Sequence, residues 1–141
     1  MKTKIVLSVG FAGLTALSAV LFGFQQKTVI NNHEIKKGMI KVTILYPNSE
    51  GKKFDMDYYS TKHMPMVAQL LGDSLKLLSI DKGVSGAAPN SPATYVAIGY
   101  LYFDRLSAYL NAFAPVAEKI RNDIPNYTDI KPVIQISEVV Q

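Results

Sequence analysis

The run from Thr94 to Phe103, Thr-Tyr-Val-Ala-Ile-Gly-Tyr-Leu-Tyr-Phe, carries no charge and is nearly all β-branched, aromatic or small. It reads as a strand, with Tyr95, Ala97, Gly99, Leu101 and Phe103 in one row and Val96, Ile98, Tyr100 and Tyr102 in the other. Both rows are apolar. A sheet built on this strand has to be covered on both faces.

The other elements fall on either side of it. Ile40, Val42, Ile44 and Tyr46 alternate with Lys41, Thr43 and Leu45 until Pro47-Asn48 and Gly51 stop the strand. Asp55 suits the N-cap of a helix with Tyr58, Tyr59, Val67, Leu70 and Leu71 on one side and Gly72 as its stop. Pro65 lies inside that helix. Because it lacks an N–H and disfavours helical geometry at Met64, a kink or break is expected beside His63. Leu75–Val84 is a second strand, and Gly83–Pro92 a loop rich in Gly, Ala, Pro, Asn and Ser. After the central strand, Asp104 is the expected cap of a helix with Leu106, Tyr109, Leu110, Phe113, Val116, Ala117 and Ile120 at three- and four-residue steps and Pro115 inside it. Asp123–Asn126 turns the chain, and Ile130–Val140 forms a last strand.

The order βαββαβ predicts an α+β, ferredoxin-like domain: a four-stranded antiparallel sheet with two helices on one face. The helices cover one face only. A second copy of the sheet is the natural cover for the other, which predicts a homodimeric α+β barrel, and Gly99 in mid-strand would leave room for a molecule entering between the sheets.

At 141 residues the chain allows one ordinary domain, expected over 39–141. Ahead of it, Lys2 and Lys4 precede the uncharged run Ile5–Phe24, so 1–24 reads as a signal peptide or an N-terminal membrane anchor, with 25–38 as a polar linker. Either reading delivers the domain across the membrane, periplasmic or extracellular, free or anchored. The net charge of +4 belongs to this front part, since residues 39–141 carry ten basic and ten acidic side chains. The domain therefore shows no electrostatic footprint for nucleic acid.

The chain has no cysteine, which removes disulfides, iron–sulfur clusters, thiolate zinc sites and a thiol nucleophile. Its two histidines are His33, in the front part, and His63, so no dedicated metal site is expected in the domain. His63 is the candidate catalytic residue, as the one domain side chain whose ordinary pKa lies near neutrality. Beside it, Tyr58, Tyr59, Tyr100 and Tyr127 are candidates to hydrogen-bond a carbonyl or phenol oxygen of a ligand. Each also suits a satisfied core position.

The segments Met39-Ile40-Lys41-Val42 to Leu45-Tyr46-Pro47, Phe54-Asp55-Met56-Asp57-Tyr58-Tyr59 with His63-Met64-Pro65, and Asp123-Ile124-Pro125-Asn126-Tyr127-Thr128-Asp129-Ile130 with Pro132 and Gln135-Ile136-Ser137-Glu138-Val139 together resemble the EthD family. The resemblance covers essentially all of 39–141. It implies a dimeric α+β barrel that takes a small apolar or aromatic organic molecule, and an oxidoreductase label of the EthD-family reductase kind. Reduction needs a redox group, because side chains do not hold hydride equivalents. No Gly-x-Gly-x-x-Gly or phosphate-binding loop is present, so the cofactor stays unknown; a haem would have His63 as its one plausible axial ligand. Acid–base chemistry at His63, of a cyclase or dehydratase kind, and a non-catalytic carrier or sensor are the alternatives.

Overall fold

The structure, a computed structural model, describes residues 34–141 of the chain, so the expectations for the signal or anchor and for His33 lie outside the described residues. Strands β1 (Ile40–Pro47), β2 (Leu77–Lys82), β3 (Tyr95–Phe103) and β4 (Val133–Glu138) form one sheet in the order β2-β3-β1-β4. Every neighbouring pair is antiparallel, as the ferredoxin-like plan requires. The apolar run Thr94–Phe103 becomes the interior strand β3, which supplies ladder bonds on both sides. The end strands of the sequence reading are trimmed: β2 loses two residues at each end, and β4 begins only at Val133, after Pro132, which cannot donate to the ladder.

One face of the sheet carries Val42, Ala97, Leu101 and Phe103, buried beneath Tyr59, Met64, Val67, Leu71, Tyr109 and Ile120 from the helices. The opposite face, read from the register, sets Tyr102 beside Lys41 and Leu77, Tyr100 beside Thr43 and Ser79, and Ile98 beside Leu45 and Asp81. That face is more mixed in polarity than β3 alone suggests, because β1, β2 and β4 add Lys41, Asp81 and Gln135 to it.

The first helical segment runs as α1 (Met56–Tyr58), a π-helical turn (Tyr59–His63) and α2 (Met64–Leu71). Asp55 caps it, its carboxylate accepting from the Tyr58 N–H at 2.9 Å. The expected break at Pro65 takes the form of this widened turn. Met64 stays helical, and its N–H bonds five residues back to the Tyr59 carbonyl. The extra residue gives the proline ring room beside the preceding turn. Ser60 and Thr61 hydroxyls donate to the Asp57 carbonyl, at 3.3 and 2.7 Å, which offsets bonds the widened turn gives up.

The second helix is divided at Pro115 into α3 (Leu106–Phe113) and α4 (Ala117–Asp123). Its N-cap corrects the sequence reading. Arg105, in extended conformation and without a side-chain capping bond, occupies the cap, and the Asp104 carboxylate instead pairs with Lys76 Nζ at 3.5 Å. A 3-10 turn, Ile124–Asn126, then leads toward β4.

Candidate functional site

The two strand-to-strand connections are held together at one point. Phe54 bridges Thr128, the Asp55 N–H donates to the Tyr127 carbonyl at 2.8 Å, and the Thr128 hydroxyl donates to the Lys53 carbonyl at 2.6 Å. This sets the helix of His63 against the end of α4. Nδ1 of His63 lies 2.8 Å from Oδ2 of Asp123. The other carboxylate oxygen accepts from the Tyr58 hydroxyl at 3.0 Å and from Asn126 Nδ2 at 2.8 Å.

With three donors aimed at it, the Asp123 carboxylate is ionised. Burial raises its pKa, but the hydrogen bonds from His63, Asn126 and Tyr58 outweigh burial and hold it below the ordinary value. His63 is 3 % exposed, and its pKa is lowered: burial dominates, against the hydrogen bond and charge of Asp123. The imidazole is therefore neutral at pH 7. An ionised carboxylate at Nδ1 fixes the ring proton there and leaves Nε2 with the lone pair.

Aromatic rings pack on this imidazole. The Tyr59 ring stacks on it at 5.8 Å and 19°, and the Tyr127 ring tilts against it at 4.6 Å and 50°. The Tyr127 hydroxyl is bound to that of Tyr46 at 2.6 Å. The Tyr59 hydroxyl is fully buried, with no hydrogen-bond partner among the described residues, and burial drives its pKa far up. It occupies the space beside Gly99, where an added Cβ would collide with it and approach Met64 Cε to 3.1 Å.

His63 lines a cavity of about 360 Å³ between the sheet and the helices, walled mainly by Val42, Ile44, Met64, Val67, Leu101 and Phe113. Tyr46, Tyr109 and Arg121 are the other residues of its lining with polar side chains. Outside it lies an open groove of about 820 Å³ along Lys53–Asp55 and Arg121–Pro132. Arg121, Ile124 and Pro132 belong to both. The cavity sits within one protomer on the helix-covered face, and Gly99 does not open toward a second sheet, which corrects the expectation for that residue. The reason is the row of β3 that meets the helices: it is the row containing Gly99, and Tyr59 fills the gap that glycine leaves.

Of the four candidate tyrosines, Tyr58, Tyr59 and Tyr127 gather around the His63–Asp123 pair, as orienting or packing groups. Tyr100 does not join them. It lies on the opposite face of the sheet, beneath Lys41, whose Nζ is 5.9 Å from its ring centroid. The residues that the sequence reading did not single out are Asp123, Tyr46, Tyr109 and Arg121. An acid at a helix end reads as turn chemistry, and only its place in the Asp-Ile-Pro-Asn-Tyr motif marked it. His63 with Nδ1 tied to a carboxylate has the donor chemistry of a haem ligand. The space does not match: a porphyrin with its propionates exceeds a cavity of about 360 Å³.

Fold and site together define a ferredoxin-like α+β domain with an apolar cavity beside a buried His–Asp pair. The EthD domain family model matches residues 49–131, more than half of the chain. The chain belongs to the EthD family. It is similar to the crystal structure of an EthD-like protein from Ralstonia eutropha at 42% identity and a TM-score of 0.72, over 75% of this chain and 96% of that one. An ethyl tert-butyl ether D (EthD) family protein from Bacillus halodurans, at 16% identity and a TM-score of 0.52 over 72% and 99%, shares the fold. No curated protein matches the chain.

Proposed function

We propose that the domain takes a small apolar or aromatic molecule into its cavity and moves a proton on it, with His63 as the general base. The observation that carries this reading is the 2.8 Å contact between His63 Nδ1 and an ionised Asp123, in a ring that lines an apolar cavity. In the step, the C–H bond next to a ligand carbonyl breaks, its proton goes to Nε2, and its electron pair enters the enolate. Asp123 stabilises the imidazolium that forms. Of the two tyrosines lining the cavity, Tyr109 is the better situated to donate to the ligand oxygen, since the Tyr46 hydroxyl is bound to that of Tyr127. The oxidoreductase label of the family resemblance needs a redox group from elsewhere, and nothing in the wall favours that reading over proton transfer. The apolar residues on the sheet's other face support pairing of two copies. The cavity itself needs residues of one copy only.

Deuterium exchange tests the proposal. Incubated in D₂O with acetophenone or 4-acetylbenzoate, the protein should speed deuterium uptake into the methyl group, read by NMR. His63→Ala should lose roughly 10²- to 10⁴-fold of that rate. Asp123→Asn should lose up to about 10⁴-fold, because its amide can donate to Nδ1 and move the ring proton to Nε2. Exchange that survives in His63→Ala contradicts the proposal. Ligand binding without exchange in the wild type leaves a carrier or sensor.

A further inference from the structure

We infer that Arg121 makes the neck of the cavity a carboxylate subsite, so that the ligand is a small apolar molecule bearing one carboxylate. This rests on the cavity being the binding site, as proposed above. Arg121 stands on α4, exposed, and it is one of three residues shared by the cavity and the outer groove, the others being Ile124 and Pro132. Its guanidinium makes no ion pair and no side-chain hydrogen bond among the described residues. A cation at the neck of an apolar chamber, with all its donors free, has a charge-matching ligand as its natural partner.

The surroundings favour an anion further. Lys53 and Lys131 also line the groove. Its two acids are already engaged: Asp55 accepts from the Tyr58 N–H, and Asp129 accepts from the Lys53 N–H at 2.9 Å and pairs with Lys52 at 3.8 Å. Inside the cavity no carboxylate lines the wall, because Asp123 faces its three donors. An anion entering from the groove therefore meets Lys53, Lys131 and Arg121 against Asp55 and Asp129, and meets no acid in the cavity wall. The planar fork of arginine matches a carboxylate in two parallel hydrogen bonds, which a hydroxyl or ester cannot reproduce. A volume of about 360 Å³ behind the neck accommodates a bicyclic aromatic or a medium alkyl chain.

Calorimetric titration of the full chain with 2-naphthoate and with its uncharged methyl ester decides the matter. At low ionic strength the acid should bind about tenfold more tightly than the ester, and salt should narrow the gap. Arg121→Gln should weaken the acid about tenfold and leave the ester unchanged. Lys131→Gln, in the groove but outside the cavity wall, should keep the preference. Equal binding of acid and ester, or a preference that survives Arg121→Gln, overturns the subsite while the cavity reading stands. A preference lost equally in Lys131→Gln also overturns it, in favour of a diffuse field. Failure of both probes to bind overturns the subsite and the cavity reading together.

Discussion

At the scale of single residues, Tyr59 and Gly99 form one unit. A buried hydroxyl without a protein partner costs on the order of 1–3 kcal/mol, so Tyr59→Phe should raise stability by about 1 kcal/mol in urea titration. Gly99→Ala should lower it by about 1–3 kcal/mol, because the Tyr59 ring is locked and cannot retreat. The double substitution should fall short of additivity, since removing the hydroxyl relieves the clash. Additive effects would show that the two do not share that space. His63 was legible as the one histidine of the domain, and its partner was not: Asp123 is 60 residues away and meets it only through the fold. Tyr100 was legible as a strand residue but not by face. Alternation yields two rows and does not say which of them the helices choose.

At the scale of elements, the site depends on the register between the start of α1 and the segment after α4. Asp55 serves both, capping α1 with its side chain and donating its N–H to Tyr127. Asp55→Ala removes the cap alone and should cost about 1 kcal/mol by chemical denaturation, with the backbone bond kept. A loss much larger than that would mean the carboxylate also holds the two connections in register. Elements themselves were well marked in the sequence, because proline, glycine and hydrophobic period act locally. The π turn was not: Pro65 announces a disturbance, and the widened turn that resolves it depends on packing Tyr59, His63 and Met64 together against the sheet. The cap at Arg105 was missed for a similar reason. Lys76, from the approach to β2, draws Asp104 away from the helix start.

At the scale of the whole molecule, the βαββαβ plan followed from element order, and the position of the cavity did not. Dimerisation, which the apolar side chains of the open face support, should appear in sedimentation of the 39–141 domain as a species of twice the chain mass. A stable monomer at micromolar concentration would set that proposal aside without touching the cavity. Acid should act on the fold in two stages. His63 has a folded pKa below its ordinary 6.5, so its contribution is complete above that value and is lost as pH falls toward the folded pKa. Asp123, lowered from 3.8, contributes above that value and loses its share as pH falls further, through its own folded pKa. The central claim is that the fold holds His63 as a neutral base beside the cavity, its proton on Nδ1 and its lone pair on Nε2. Long-range ¹⁵N–¹H NMR of the imidazole, assigned by its loss in His63→Gln, measures this directly. The predicted result at pH 7 is a neutral ring protonated at Nδ1, with a titration midpoint below 6.5; a ring charged at pH 7, or one protonated at Nε2, would contradict it.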